Sequence, residues 1–239
     1  METASEQINM VQEEDLSEGD DDENDRLTLT WWRGDDLTTI ITILAVLWLL
    51  KKIIFGTQRR WFAYVMHMCT KDVFVQLEEV KKDHFASLSF VVSHDPELRK
   101  QNAIKILEIG VGTGDNMEMI GDNSVDVVVM TLVLCSVDNA DQILREVLRV
   151  LAPGGKFYFM EHIAEFDLER HSLRRRLQDV FTWLRVWPFI FDGCCLNRDM
   201  LPNIQRAGFS SVDAHKYYAP VPSFLFDLER PNLKGVAVK

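Results

Sequence analysis

Cysteine is scarce in this sequence. The four residues, Cys69, Cys135, Cys194 and Cys195, form no CxxC pair and show no His/Cys ligand spacing. That pattern argues against a structural zinc site, so no metal is expected. Adjacency disfavours a simple disulfide between Cys194 and Cys195, and the set reads as reduced thiols of the cytosol. Basic clusters are equally rare. RHSLRRR, Arg170 to Arg176, reads as the wet face of a helix, so no nucleic-acid partner is expected. Internal repeats and low-complexity linkers are missing from the C-terminal part. At 239 residues and 47% hydrophobic, the chain can bury one substantial core with appendages.

Charge is present but confined. Residues Met1 to Asp36 hold thirteen Asp and Glu against Arg26 and Arg33, so the whole net charge of −11 sits there and the remainder is balanced. A segment containing EEDLSEGDDDEND buries too little apolar surface to offset its ordering entropy, which predicts a disordered acidic tail over 1–36. Leu37 to Leu50 is then uncharged for fourteen residues, and IIF resumes the apolar run after Lys51 and Lys52. A bilayer span needs about 20 residues, which the run approaches if the two lysines snorkel. A membrane anchor is expected over 37–56; a monotopic insertion and a buried soluble helix are the other readings. An acidic tail in place of a basic n-region argues against a cleavable signal peptide. Lys51, Lys52, Arg59 and Arg60 follow the run, which puts the downstream part in the cytosol by the positive-inside rule. A helical connecting segment is expected over 57–100 and a folded domain over 101–239.

Within that domain AIKILEI, Ala103 to Ile109, reads as a buried parallel strand closed by glycine, and VDVVVM, Val125 to Met130, as a second. Asp138 to Leu151 places Ile143, Leu144, Val147, Leu148 and Leu151 on one helical face, with Ala152-Pro153-Gly154-Gly155 as its stop. KFYFM, Lys156 to Met160, is the third strand. Strand, glycine turn, helix, strand is the grammar of an α/β doubly wound sheet. A long helix from Ala164 to near Trp187-Pro188, a turn at FDGCCLN, a helix capped by Asn197 and running to Ala207, and two paired terminal strands, Ser211 to Tyr218 and Leu233 to Val238, complete the expected order.

The glycine loop E-I-G-V-G-T-G carries the chemistry. Gly110, Gly112 and Gly114 let the backbone approach a ligand closely, and Glu108 stands two residues before the first. A pyrophosphate would be repelled by that carboxylate, whereas an ammonium group can use it. Glycine spacing of this kind disfavours a nicotinamide-dependent oxidoreductase. These residues, with DNSVDVVVMTLVLCSV and ILREVLRVLAPGGKFYFMEH, resemble the class I S-adenosylmethionine-dependent methyltransferases with a type 11 domain. FYFMEH, FDGC and GVAVK further resemble the membrane-anchored thiol methyltransferases of the methyltransferase-like protein 7 type. The likeness spans about Lys105 to Lys239.

What the resemblance implies is a Rossmann-like sheet that transfers a methyl group from S-adenosylmethionine to a small thiol, on the cytosolic face of endoplasmic reticulum or lipid droplets. Glu108, Gly110, Gly112 and Gly114 would hold the methionine end of the cofactor, with Thr131 and Leu132 lining it from the next strand; those two read equally as core. Glu161 and His162 are expected to face the same crevice. His162 is a candidate for deprotonating the acceptor, with a structural hydrogen-bonding role as the other reading. Cys135 reads as a small buried hydrophobe.

The family places two further strands and an acid for the cofactor ribose between loop and SVDVVV. Only Asp115 to Asn123 stands there, enough for a stunted helix at most. The sheet is therefore expected to be truncated, with AIKILEI as an exposed edge. The alternative function is a catalytically inactive variant acting as a membrane-bound interaction module.

Overall fold

The computed structural model describes residues 34–72, 75, 77–110, 119–221 and 224–239. The acidic tail up to residue 33, Gly112, Gly114 and most of the short connection lie outside the described residues. The chain divides into two units at Thr57.

Helix α1, Gly34–Asp72, starts inside the segment expected to be tail. Its stretch Leu37–Gln58 is 22 residues with a mean hydropathy of 2.0 and nothing of it buried. At 1.5 Å per residue that is about 33 Å, long enough to cross the ~30 Å apolar layer of a bilayer. Thr42 and Thr57 donate their hydroxyls back to the carbonyls of Thr38 and Ile53, each at 2.7 Å. Such back-bonding would satisfy these hydroxyls in a bilayer, where there is no water to turn to. The helix is thus long and apolar enough to act as a membrane anchor.

In the second unit a five-stranded sheet has the order β1-β2-β3-β5-β4. Strands β1 (Ile106–Ile109), β2 (Val125–Thr131) and β3 (Leu151–His162) are parallel neighbours, while β5 (Pro231–Val238) is antiparallel to both β3 and β4 (Ser211–Tyr218). β2 is central to the parallel part, and its first six residues are all buried, which is why it reads as an unbroken apolar run. One face of the sheet packs Val128, Met130, Phe157 and Phe159 against Leu144, Val147 and Val150 of a helix at Ala140–Val150 and Ile204 of one at Leu201–Arg206. The other face packs Val127, Val129 and Tyr158 against Phe85, Leu88 and Val91. Helical segments on both faces make this the mixed α/β architecture anticipated.

Several boundaries differ from expectation, each for a physical reason. β1 begins at Ile106 and not at Ala103, and no described strand pairs with its outer edge, so Ile106 stays 47% exposed. Among the described residues the expected exposed edge is present. β3 begins at Leu151, directly after the helix, and Ala152 to Gly155 bulge out of it: Val125 pairs Leu151, but Val127 pairs Lys156. A Cβ on Gly155 would lie 2.8 Å from the Ala152 carbonyl oxygen, so the bulge closes on glycine. The long helix after Ala164 runs only over Leu168–Trp183, and Pro188 falls in a separate short helix, Val186–Ile190. Arg185, in left-handed conformation at φ 56°, breaks the two apart. Asn197 does not cap the next helix; its amide donates to Asp179 at 2.9 Å, and Asp199 accepts from the Leu201 amide instead. The two terminal strands pair as expected, but β5 is interior and only β4 is an edge.

Asp126 pins the start of β2 to the segments before β1. Its carboxylate accepts from the His94 amide at 2.7 Å, the His94 ring at 2.5 Å and the Lys105 amide at 2.8 Å. Burial alone would raise its pKa, but the Lys105 and His94 amides, with the His94 ring, outweigh it and hold the carboxyl at about 2. A carboxyl held below its ordinary 3.8 contributes stability that is complete above that value and lost as pH falls toward 2. Asp126→Ala is expected to cost about 3 kcal/mol at neutral pH, from lost charge-assisted bonds and two orphaned amides. Urea titrations of both proteins between pH 5 and about 2 check this; an unchanged gap across that range overturns it.

Candidate functional site

The carboxyl ends of β1, β2 and β3 open onto one cleft of about 760 Å³. Open α/β sheets place ligands at this end of their parallel strands, because the loops there diverge. Glu108 and Gly110 line it from β1, Thr131 and Leu132 from β2, and His162 from β3. Five of the seven site residues expected from the sequence thus converge. Among the described residues, Gly110 has no atom within 4 Å of where a Cβ would stand.

Leu132 holds the left-handed conformation, φ 56°, which costs a branched L-residue about 1–2 kcal/mol. The turn it makes aims three successive amides at one point. Val133 and Leu134 donate to Glu161 Oε1 at 2.9 and 3.0 Å, and Cys135 donates to Oε2 at 3.3 Å. Such a row of amides is the geometry of an anion nest, here occupied by the protein's own carboxyl group. Glu161 is therefore not aimed into the crevice as expected. It lies wholly buried on the opposite side of β3 from His162, because neighbouring residues of a strand point to opposite faces.

His162 is buried and does line the cleft. Its Nε2 lies 3.3 Å from Cys194 Sγ. Burial lowers its pKa, but the charge and hydrogen bonding of Cys135, together with the Glu229 and Glu161 charges, outweigh that and raise it to about 9. Cys135 in turn is drawn well below the ordinary thiol range, first by hydrogen bonding to Cys194, with the His162 charge assisting against burial. Cys194 is pushed up by burial. With its proton in place His162 is a donor, so a base role demands prior loss of that proton. Cys135 packs beside Trp187 and Leu196 as a small hydrophobe should, yet it also belongs to this polar trio.

Cys194 was not anticipated. The turn FDGCC brings it in: Gly193, at φ 92°, sits so close that a Cβ would lie 2.9 Å from the Ser136 carbonyl oxygen, and the Cys195 amide donates to the Cys135 carbonyl at 3.0 Å. A glycine before paired cysteines was the available signal.

The residues fit half of the cofactor that the resemblance implies. Glu108 and Gly110 offer a carboxylate and an open backbone for the methionine end. The adenosine end has no counterpart among the described residues, since the outer edge of β1 pairs with no strand that would carry the ribose acid.

Comparison with known proteins bears on the same segment. The pattern of a family described as "Methyltransferase domain" matches residues 87–159. Thiol S-methyltransferase TMT1A of Homo sapiens is 45% identical over 129 residues, 54% of this chain and 50% of the relative. Thiol S-methyltransferase TMT1B of Rattus norvegicus is 40% identical over the same shares of the two chains. This chain spans about half the length of the curated relatives it matches. Among solved structures, a SAM-dependent methyltransferase of Thermotoga maritima, titled a possible histamine N-methyltransferase, aligns with a TM-score of 0.47 and 15% identity over 77% of this chain and 97% of that one. Residues 87–159 thus match a methyltransferase-domain pattern, and 54% of the chain is similar to half of a thiol S-methyltransferase.

Proposed function

We propose that this chain is an S-adenosylmethionine-dependent methyltransferase acting on a small thiol from a membrane. The observation that carries the reading is the convergence of Glu108, Gly110, Thr131 and Leu132 with a thiol- and imidazole-lined wall in one cleft. The thiol enters from the named activity of the relatives.

When bound, the cofactor supplies an electrophilic methyl group on a sulfonium. Around it, Glu108 pairs with the ammonium of the methionine end, Gly110 with Gly112 and Gly114 gives the backbone close approach, and Thr131 and Leu132 bound the opposite side. Leu132, fixed by the amide nest, cannot drift into the space. His162 and its sulfur neighbours set the proton balance on the acceptor side, where a thiolate is the competent nucleophile. The interaction-module alternative has no support in the sequence matches.

The full chain in detergent, supplied with methyl-labelled S-adenosylmethionine and a small alkyl thiol, is expected to form labelled thioether, saturating only at high cofactor concentration. A Cβ at Gly110 meets no atom of the described residues within 4 Å, so Gly110→Val is expected to fold and lose turnover. Absence of thioether at any cofactor concentration, with the label transferred to an alcohol or amine acceptor instead, overturns the thiol assignment.

The charge asymmetry around α1 supports a topology with the two ends of the chain on opposite sides of a membrane and the domain in the cytosol. In sealed microsomes a C-terminal tag is expected to be digested and an N-terminal one protected; digestion of both overturns the span. Imaging of the tagged chain tests the endoplasmic reticulum or lipid droplet as its membrane.

A further inference from the structure

We propose that Cys135, His162 and Cys194 form a binding site for one soft divalent cation of the zinc class, with a fourth coordination position open to the cleft that receives the acceptor as a thiolate. The ligand atoms of the three residues all lie within 4.8 Å of one another, and all three residues are buried. Tetrahedral zinc with Zn–S near 2.3 Å and Zn–N near 2.0–2.1 Å separates its ligand atoms by roughly 3.5–3.8 Å. The 3.3 Å between Cys194 Sγ and His162 Nε2 is already close to such an edge.

The three ligands come from separate segments, and each is independently held. Cys135 is fixed by its amide on Glu161 and its carbonyl on the Cys195 amide. His162 is locked in β3 by pairing with Asn232. Cys194 is placed by the close approach of Gly193 to Ser136. Ligands held this way need little reorganisation on binding, which is what a metal site requires of its scaffold. Thiolate and imidazole donors select zinc-like ions over magnesium or calcium.

Three protein ligands and an open fourth position is the arrangement of catalytic, not structural, zinc. Here all three ligands line the cleft that also contains Glu108 and Gly110. Binding displaces the thiol and imidazolium protons to solvent. An acceptor thiol entering the fourth position loses its proton to solvent as well. Its sulfur then forms the new bond to the methyl carbon while the sulfonium–methyl bond breaks, the electron pair staying on the departing thioether sulfur. This second half rests on the thiol methyltransferase reading; the metal half does not. The expectation of no metal rested on ligands close along the chain, a criterion that does not see a trio assembled by the fold.

The test is titration of the reduced full chain in detergent with Co2+, followed by absorption. One equivalent should give thiolate-to-cobalt charge-transfer absorption and the intense visible bands of tetrahedral Co2+, both abolished by one equivalent of Zn2+. Cys135→Ser, Cys194→Ser and His162→Ala should each weaken binding by about a hundredfold, while Cys195→Ser, outside the donor set, leaves it unchanged. X-ray absorption at the zinc edge of the unmutated chain should show two sulfur neighbours, a readout independent of whether the variants fold. Adding 2-mercaptoethanol should raise this to three. An oxygen- and nitrogen-only shell, or cobalt bands that survive the double Cys135→Ser, Cys194→Ser change, overturns the site. Two sulfurs that stay two on adding thiol overturn the fourth-ligand assignment while upholding the metal. Thioether formation by a chain that binds no metal overturns the metal proposal and leaves the thiol reading standing.

Discussion

Inserting the strand–helix–strand segment of one of the longer thiol S-methyltransferases between Asn116 and Gly121 is expected to raise affinity for S-adenosylmethionine by at least tenfold for each adenosine contact it restores. A hydrogen bond to a charged group contributes about 1.5 to 3 kcal/mol, and about 1.4 kcal/mol is tenfold. An acid gripping both ribose hydroxyls would alone supply about a hundredfold or more on that basis. The sheet has a place for the insert. β1 stands at the end of the order β1-β2-β3-β5-β4, with Ile106 47% exposed and its outer edge unpaired among the described strands. A new parallel strand on that edge would cover Ile106 and carry its terminal acid beside Glu108 and Gly110.

Calorimetry on the two chains measures the difference, and thermal denaturation reads the covered edge as a higher midpoint. Micromolar binding by the uninserted chain would sink the argument, since another segment would then be supplying the adenosine contacts. An insert that raises the midpoint without raising affinity would show that the edge is repaired but the cleft is not the cofactor site.

Much of the architecture was legible because burial and period are local properties. VDVVVM announces a strand buried on both faces, and the spacing of Leu144 and Val147 announces the helix that covers one of them. The exposed edge of β1 followed from counting residues in the connection. Other features leave no local mark. Arg185 and Leu132 adopt left-handed backbone without being glycine or asparagine, so neither the helix break nor the amide nest shows in the sequence. Tertiary contacts impose those conformations. The Cys135, His162 and Cys194 trio is assembled by sheet order and one close-packed turn, and spacing rules are blind to it. His162 was found because it stands at the end of a parallel strand; Cys194, in a turn, has no such address.

Glu161→Leu is expected to be the most destabilising single change near the cleft. Glu161 has no exposed surface, and both of its oxygens are engaged by amides of the turn after β2. Leucine fills a similar volume but accepts nothing, so three buried N–H groups lose their partner. Each orphaned donor costs about 1 to 3 kcal/mol, and the sum is comparable to the 5–15 kcal/mol that holds a typical domain folded. The strain at Leu132 would also lose its compensation, letting the turn relax and displacing Cys135. Glu161→Gln keeps one oxygen for Val133 and Leu134 but turns an NH2 toward the Cys135 amide, so a smaller loss of about 1–2 kcal/mol is expected. The two variants also separate charge from hydrogen bonding. Burial, with the Cys135 charge next, pushes the Glu161 pKa up to about 8 against the pull of the Val133 and Leu134 amides. A carboxyl raised above its ordinary 4.5 holds a proton in the folded state that the unfolded chain has released. Its contribution is therefore complete below that value and declines as pH rises toward 8. Subtracting the Glu161→Gln stability from the unmutated one at each pH removes the opposing titrations of His162 and Cys135 to first order. The difference should shrink between pH 4.5 and about 8. A difference that grows over that interval would mean that the amide nest outweighs burial and that Glu161 is an anion at neutral pH.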